Sequence, residues 1–254
     1  MSKIHIDAGH GGHDPGAVGK SSKEKDNVLK VANRLKTLLE SYGHTVRLSR
    51  STDVFLSLSE RARLANAWGA DYFVSLHDNA ATASATGFET FIHNGLVQSK
   101  TVGFQNSIHA AIINGIGIRD RGKKRANFAV LRETRMPAVL IEYAFISNAN
   151  DEKVLINDVE KLAQLTANGI VNYAGGVRPA PDKPTVSKSS TIGTATVKAS
   201  TLNLRSGPSV KSKFIRTLKK GEPYIVYAEK DGWLNLGGDQ WASWQNGKYM
   251  DWKK

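Results

Sequence analysis

The feature that most constrains this chain is a short apolar alternation, Ile4-His5-Ile6-Asp7-Ala8, that runs directly into Gly9-His10-Gly11-Gly12-His13-Asp14-Pro15-Gly16. The alternation puts Ile4 and Ile6 on one face and His5 and Asp7 on the other, the period of a strand. Four glycines and a proline then end regular structure. A loop of this kind lets backbone approach a ligand closely. It carries neither G-x-G-x-x-G nor G-K-S/T spacing, so a dinucleotide or phosphate loop is disfavoured and a metal is the better expectation. A catalytic zinc needs three protein ligands, so the partners must come from elsewhere in the chain. With no cysteine in the sequence, only His, Asp and Glu are available to hold the ion, and no disulfide staples the fold.

Further along, Glu24 to Glu40 places Val28, Val31, Ala32, Leu35, Leu38 and Leu39 at helical spacing, with Glu24 in the first turn, where an acid also complements the helix dipole. Thr45 to Leu48 is a short strand, and Ser57-Leu58-Ser59-Glu60 has capping-box spacing before a helix through Trp68. Tyr72 to Asn79 is a second aromatic and β-branched strand that ends on a histidine, His77. A strand over Gly87 to Ile92, a helix over Thr101 to Ile113 and a basic loop from Arg119 to Arg125 follow. Met136 to Ile141 is nearly continuous in apolar residues, as for a strand buried on both faces, and ends on Glu142. One helix is expected from Asp151 to Tyr173. Strands alternating with helices predict an α/β domain with a mostly parallel sheet, and in such sheets ligands bind beyond the carboxyl ends of the strands. His10, His77 and Glu142 fall at such ends, and Glu24 opens the first helix.

Residues 176–192 carry three of the prolines among Ser, Thr and Lys and read as a linker. From 193 to 254, short β-type runs separated by turn signals predict a small all-β barrel that holds four of the five tryptophans, about half of them expected to be exposed for binding. Charge is uneven. Residues 1–175 hold 21 Lys and Arg against 17 Asp and Glu, a net of +4, whereas 176–254 hold 14 against 6, a net of +8. The smaller part therefore carries the affinity for polyanions, among which charge does not choose. A nucleic-acid binder would need a groove-reading or stacking motif, and none is present. No stretch has the length of a membrane span.

Four motifs taken in order now resemble one family: Ile4 to Ala17, Glu24-Lys25-Asp26, Ser75-Leu76-His77-Asp78-Asn79-Ala80, and Pro137 to Glu142 with Phe145-Ile146-Ser147-Asn148. They are similar to the zinc-dependent N-acetylmuramoyl-L-alanine amidases across some 175 residues, and Leu202 to Pro208 with Gly232-Trp233 resembles a bacterial SH3-like cell-wall-binding domain. The resemblance loosens after Trp233. It implies a catalytic domain at 1–175 and a wall-binding domain at 193–254, with one Zn2+ held by His10, Glu24 and His77, Glu142 as the catalytic carboxylate, and Asn79 as a substrate contact. It implies no nucleic acid and no membrane insertion, a monomer, and peptidoglycan as substrate, as in a phage endolysin of a Gram-positive host. Because no signal-peptide pattern precedes Ile4, synthesis in the host cytoplasm and action on the wall after release are expected. His13 competes with His10 as ligand and Asp26 with Glu24, and His5 and Asp7 are candidates to orient a ligating imidazole. His44, His93 and His109 lie outside every motif and are expected to serve packing or surface. The competing functions are a zinc peptidase of the stem peptide and a wall binder without activity.

Overall fold

The computed structural model describes residues 1–176, 191–237 and 240–253, which fall into two compact units, Met1–Pro179 and Ala180–Lys254. The expected linker lies almost wholly outside the described residues.

The first unit has strands β1 (Lys3–Ala8), β2 (Thr45–Leu48), β3 (Tyr72–Asn79), β4 (Phe88–His93), β5 (Asp120–Ala126) and β6 (Ala138–Phe145). Its helices are α1 (Glu24–Ser41), α2 (Leu58–Trp68), α3 (Ser99–Ile116), α4 (Ala129–Arg132), α5 (Ala149–Asn157) and α6 (Val159–Ala174). The strands form one sheet in the order β2-β1-β3-β6-β4-β5. β1, β2, β3 and β6 run parallel, β4 pairs antiparallel with β6, and β5 pairs parallel with β4. The reversal at β4 follows from its connection: the short segment from Asn79 to Phe88 holds no helix, and a parallel return needs a crossover of a dozen residues or more.

Three expectations change. The basic segment is not a loop but the edge strand β5, because its long side chains find partners on both faces: Lys123 donates to Asn106 Oδ1 at 2.7 Å, and Lys124 lies 5.8 Å from the Phe91 ring centroid. Lysines on an edge also discourage pairing with another chain. The last helix is two helices, broken at Asp158, whose φ of −104° and ψ of 25° leave the helical region. β6 continues past Glu142 to Phe145, so Glu142 sits within the strand rather than at its end.

On one face of the sheet Ile4, Ile6, Val74, Leu76, Val139 and Ile141 join the main core with residues of α1, α3 and α6. The other face has a smaller apolar cluster in which Phe73 and Leu140 meet Ala65, Val130 and Leu131 of α2 and α4. Two and four residues on from those strand positions, period-2 alternation brings Ser75, Glu142 and His77 to the same face. Apolar cover therefore gives way to chemistry along each strand.

The second unit contains β7 (Gly193–Val197), β8 (Thr201–Arg205), β9 (Phe214–Lys219), β10 (Pro223–Val226), β11 (Ala228–Lys230), β12 (Trp233–Asn235), β13 (Trp241–Ser243) and β14 (Met250–Lys253). They pair antiparallel in two sheets, β10-β7-β14 and β11-β12-β13-β8-β9. Val197, Leu204, Leu218, Val226, Leu234 and Met250 make its core. All four tryptophans here are half-buried, so they do not divide into core and exposed sets as expected. Trp244 and Trp252 meet edge to face, 4.9 Å between centroids, which uses each ring both as packing and as surface.

Candidate metal centre

The loop after β1 is fixed by two arginines that the sequence reading did not single out. Arg61, 2% exposed, donates from Nη1 to Asp7 Oδ1 at 2.9 Å and Ala8 O at 2.6 Å, and from Nη2 to His10 O at 2.6 Å. Arg50, also buried, donates to Ala8 O at 2.9 Å, Gly9 O at 2.7 Å and Lys25 O at 2.8 Å. These bonds tie the carbonyls of three successive loop residues and the first turn of α1 to one scaffold. They hold His10 at a φ of 60°, a left-handed conformation that ordinarily costs a side-chain-bearing residue about 1–3 kcal/mol. An isolated arginine in a polar stretch looks like surface, so only the fold reveals these two.

Held this way, the His10 imidazole meets Asp14 through Nδ1 at 2.8 Å and turns Nε2 to Glu24 Oε1 at 3.1 Å. His77, from β3, brings Nδ1 to the same Glu24 oxygen at 2.8 Å. Glu24 is 3% exposed, and its other oxygen accepts from the Ala17 N–H at 2.8 Å. Two glycines make the approach possible: a Cβ on Gly9 would sit 2.3 Å from the His77 ring, and one on Gly16 would sit 2.6 Å from both Glu24 Oε2 and His10 Cδ2. Burial opposes ionisation of Glu24, but hydrogen bonds from both histidines outweigh it and hold the carboxyl well below its ordinary range. Burial likewise opposes the charged form of His10, yet the carboxylates of Glu24 and Asp14 raise its pKa.

Among the described residues, His10, Glu24 and His77 are the one group of three or more His, Asp and Glu residues whose ligand atoms all lie within 4.8 Å of one another. The donor set fits a catalytic zinc, which takes nitrogen and carboxylate oxygen from three residues and keeps a fourth position open. Asp14 on the far nitrogen of His10 is the carboxylate that such imidazoles commonly have behind them.

Glu142 lies in register with His77 across β3 and β6, so the two side chains leave the same face of the sheet. Its Oε2 is covered and has no hydrogen-bond partner, an atom that awaits one. Burial, followed by the nearby charges of Glu24, Asp78 and Glu89, raises its pKa well above the ordinary carboxylate value. On the β1 side the centre opens to a cavity of ≈ 370 Å³ lined by Gly9, His10, His77, Phe55 and Leu58, the last two exposed and apolar.

The remaining candidates lie apart. His13 packs on Phe55 with 4.2 Å between ring centroids, and neither it nor Asp26 belongs to the donor group. His5 orients nothing at the centre: its Nε2 meets Ser49 Oγ at 3.0 Å, the ring stacks on Phe73, and burial lowers its pKa to about 4. Asp7 answers Arg61 and the Ser75 hydroxyl rather than a ligating histidine. His44 and His109 are buried and hydrogen-bonded to Gly175 O and to Thr90 and Asp120. Asn79 donates to Glu89 Oε1 at 2.6 Å. Glu89 itself, unmarked in the sequence, faces Glu142 across the β4–β6 ladder.

A mixed sheet that converges two imidazoles and a carboxylate beside an unpartnered acid has the composition of a hydrolytic metal centre. The chain belongs to the N-acetylmuramoyl-L-alanine amidase family, whose model matches residues 4–172, and residues 200–248 match the bacterial SH3 domain. It is 44% identical over 174 residues to the sporulation-specific N-acetylmuramoyl-L-alanine amidase of Bacillus subtilis, covering 67% of each chain. It is 43% identical over 207 residues to the endolysin of Bacillus phage SPP1, covering 76% of each. Among solved structures, the catalytic domain of CwlV, an N-acetylmuramoyl-L-alanine amidase from Bacillus (Paenibacillus) polymyxa, superposes with a TM-score of 0.65 at 37% identity, over 68% of this chain and 98% of that one.

Proposed function

We propose that this chain is a peptidoglycan hydrolase that cuts the amide between N-acetylmuramic acid and the L-alanine of the stem peptide, with Zn2+ at His10, Glu24 and His77. The observation that carries the reading is the convergence of those three donors on one point beside the unpartnered Glu142. Zinc bound there supplies a Lewis acid able to lower the pKa of a water to about 7. Glu142 takes the proton of the attacking water and returns it to the departing amine of the alanine. Its raised pKa brings it closer to the working pH, which suits a group that must both accept and give. Asp14 fixes the His10 ring, and the arginine-held loop keeps that ring in place through the cycle. Asn79, tied to Glu89 at the same end of the sheet, is the substrate contact in this reading.

Residues 1–175 are the catalytic domain in this reading and 193–254 the wall-binding one, and the net charge of +8 over 176–254 suits the anionic wall of a Gram-positive bacterium. The likeness to a phage endolysin supports a lytic role against such a host. No helix among the described residues is long and apolar enough to cross a membrane.

The test is digestion of purified Gram-positive peptidoglycan with and without a chelator, followed by readdition of zinc. New amino-terminal alanine, abolished by chelation and restored by zinc, is the expected product. Other amino termini would make the chain a peptidase, and new reducing ends a glycosidase.

A further inference from the structure

On the β4 side of the centre lies a second polar cluster to which the reaction gives no part. Glu89, 4% exposed, is its buried anchor: Oε2 accepts from Arg121 Nε at 2.9 Å and from the Lys124 ammonium, and Oε1 from Asn79. The Arg121 guanidinium lies over the buried Phe145 ring, 4.7 Å from its centroid, which orients it further. One carboxylate thus holds two cations, and the cluster keeps a net positive charge on side chains that remain 30% and 38% exposed. The desolvation cost of the buried Glu89 carboxylate is offset by these three hydrogen bonds, two of them charge-assisted, which hold both cationic heads in fixed positions.

Glu89 and Glu142 are directly opposite in an antiparallel pair, where side chains share a face with Cβ atoms about 4.5–5.5 Å apart. Both cations bond the Glu89 carboxylate, so a Cβ separation of that size plus one hydrogen bond puts their heads on the order of two extended residues from Glu142, roughly 7 Å of peptide. An anion at that distance from the scissile amide belongs to the second residue of the stem. We propose that Arg121 and Lys124, positioned by Glu89, form a subsite for a free carboxylate on the second residue of the stem peptide, and so set which walls the enzyme prefers. This rests on the amidase reading above.

The experiment uses the full-length zinc-loaded chain and two soluble muramoyl tripeptide amides that differ only at the second residue, one bearing a carboxylate there and the other a carboxamide. The wild type is expected to favour the carboxylate substrate about tenfold in kcat/KM, mainly through KM. R121Q and K124Q should each lose most of that preference. K123Q, on the same strand but bonded to Asn106 on the other face, should keep it. Equal kcat/KM for the two substrates in the wild type overturns the proposal, as do R121Q and K124Q variants that slow both substrates alike. Release of no amino-terminal alanine from either substrate would instead overturn the amidase reading.

Discussion

At the scale of single residues the atom to test is Glu142 Oε2, covered and without a hydrogen-bond partner beside the three convergent donors. Removing the charge while keeping the shape, in Glu142→Gln, should lower hydrolysis of wall substrate by about 10²–10⁴-fold, the usual contribution of a general acid–base group, with zinc content unchanged. The same substitution has a stability consequence. Because the pKa of Glu142 is raised in the folded chain, the native state holds a proton that the unfolded state has released once pH exceeds the ordinary carboxylate value. Metal-free wild type should therefore lose stability as pH rises from the ordinary range of about 4–4.5 towards the raised value, and Glu142→Gln should lose less over the same range, since the raised pKa values of Asp78 and His10 act in both proteins. Thermal unfolding of the two chelated proteins across pH 5 to 8 reads the difference directly; parallel profiles would show that Glu142 is not perturbed.

Elements decide how much of this was legible in advance. The strands carrying His77 and Glu142 announce themselves because apolar runs end in chemistry, and α1 does so because Val28, Leu35 and Leu39 keep helical spacing behind Glu24. β5 was hidden, since Arg121 to Arg125 offers no apolar alternation and its faces are told apart only by what Asn106, Glu89 and Phe91 present to it. The break at Asp158 carries neither glycine nor proline, and Asp158, an N-cap residue type, makes no side-chain cap bond, so the local signal that divides α5 from α6 is weak. That division matters, because α5 places Glu152, whose Oε1 accepts from the Ser21 and Ser22 N–H groups at 2.8 and 2.9 Å and from the Ser22 hydroxyl. Those bonds fix the approach to α1 and therefore where Glu24 stands. Glu152→Ala should cost about 1–3 kcal/mol by removing a carboxylate that accepts three hydrogen bonds, and weaken zinc binding roughly 10-fold as supporting contacts of metal ligands do. Urea unfolding and a competitive zinc titration measure the two effects; loss of stability with unaltered zinc affinity would detach α5 from the site.

For the whole molecule the division of labour follows charge. The first unit concentrates donors and acids at one end of a sheet, and the second spreads a net positive charge over a small all-β body. A chain ending at residue 176 should hydrolyse soluble muramoyl peptides at the full-length rate yet sediment poorly with intact walls, because tethering raises the effective substrate concentration without touching the chemistry. Wall binding by the full chain should weaken as salt increases. Equal sedimentation of both chains would remove the second unit from recognition.

The arginine clamp on Ala8, Gly9 and His10 reaches beyond catalysis. Every bond in it is made by protein to protein, so the left-handed turn at His10 is closed by the chain's own folding energy rather than by an ion. The position of the His10 ring is thereby written into the fold itself, so a chelated chain should keep the secondary structure and thermal cooperativity of the untreated one.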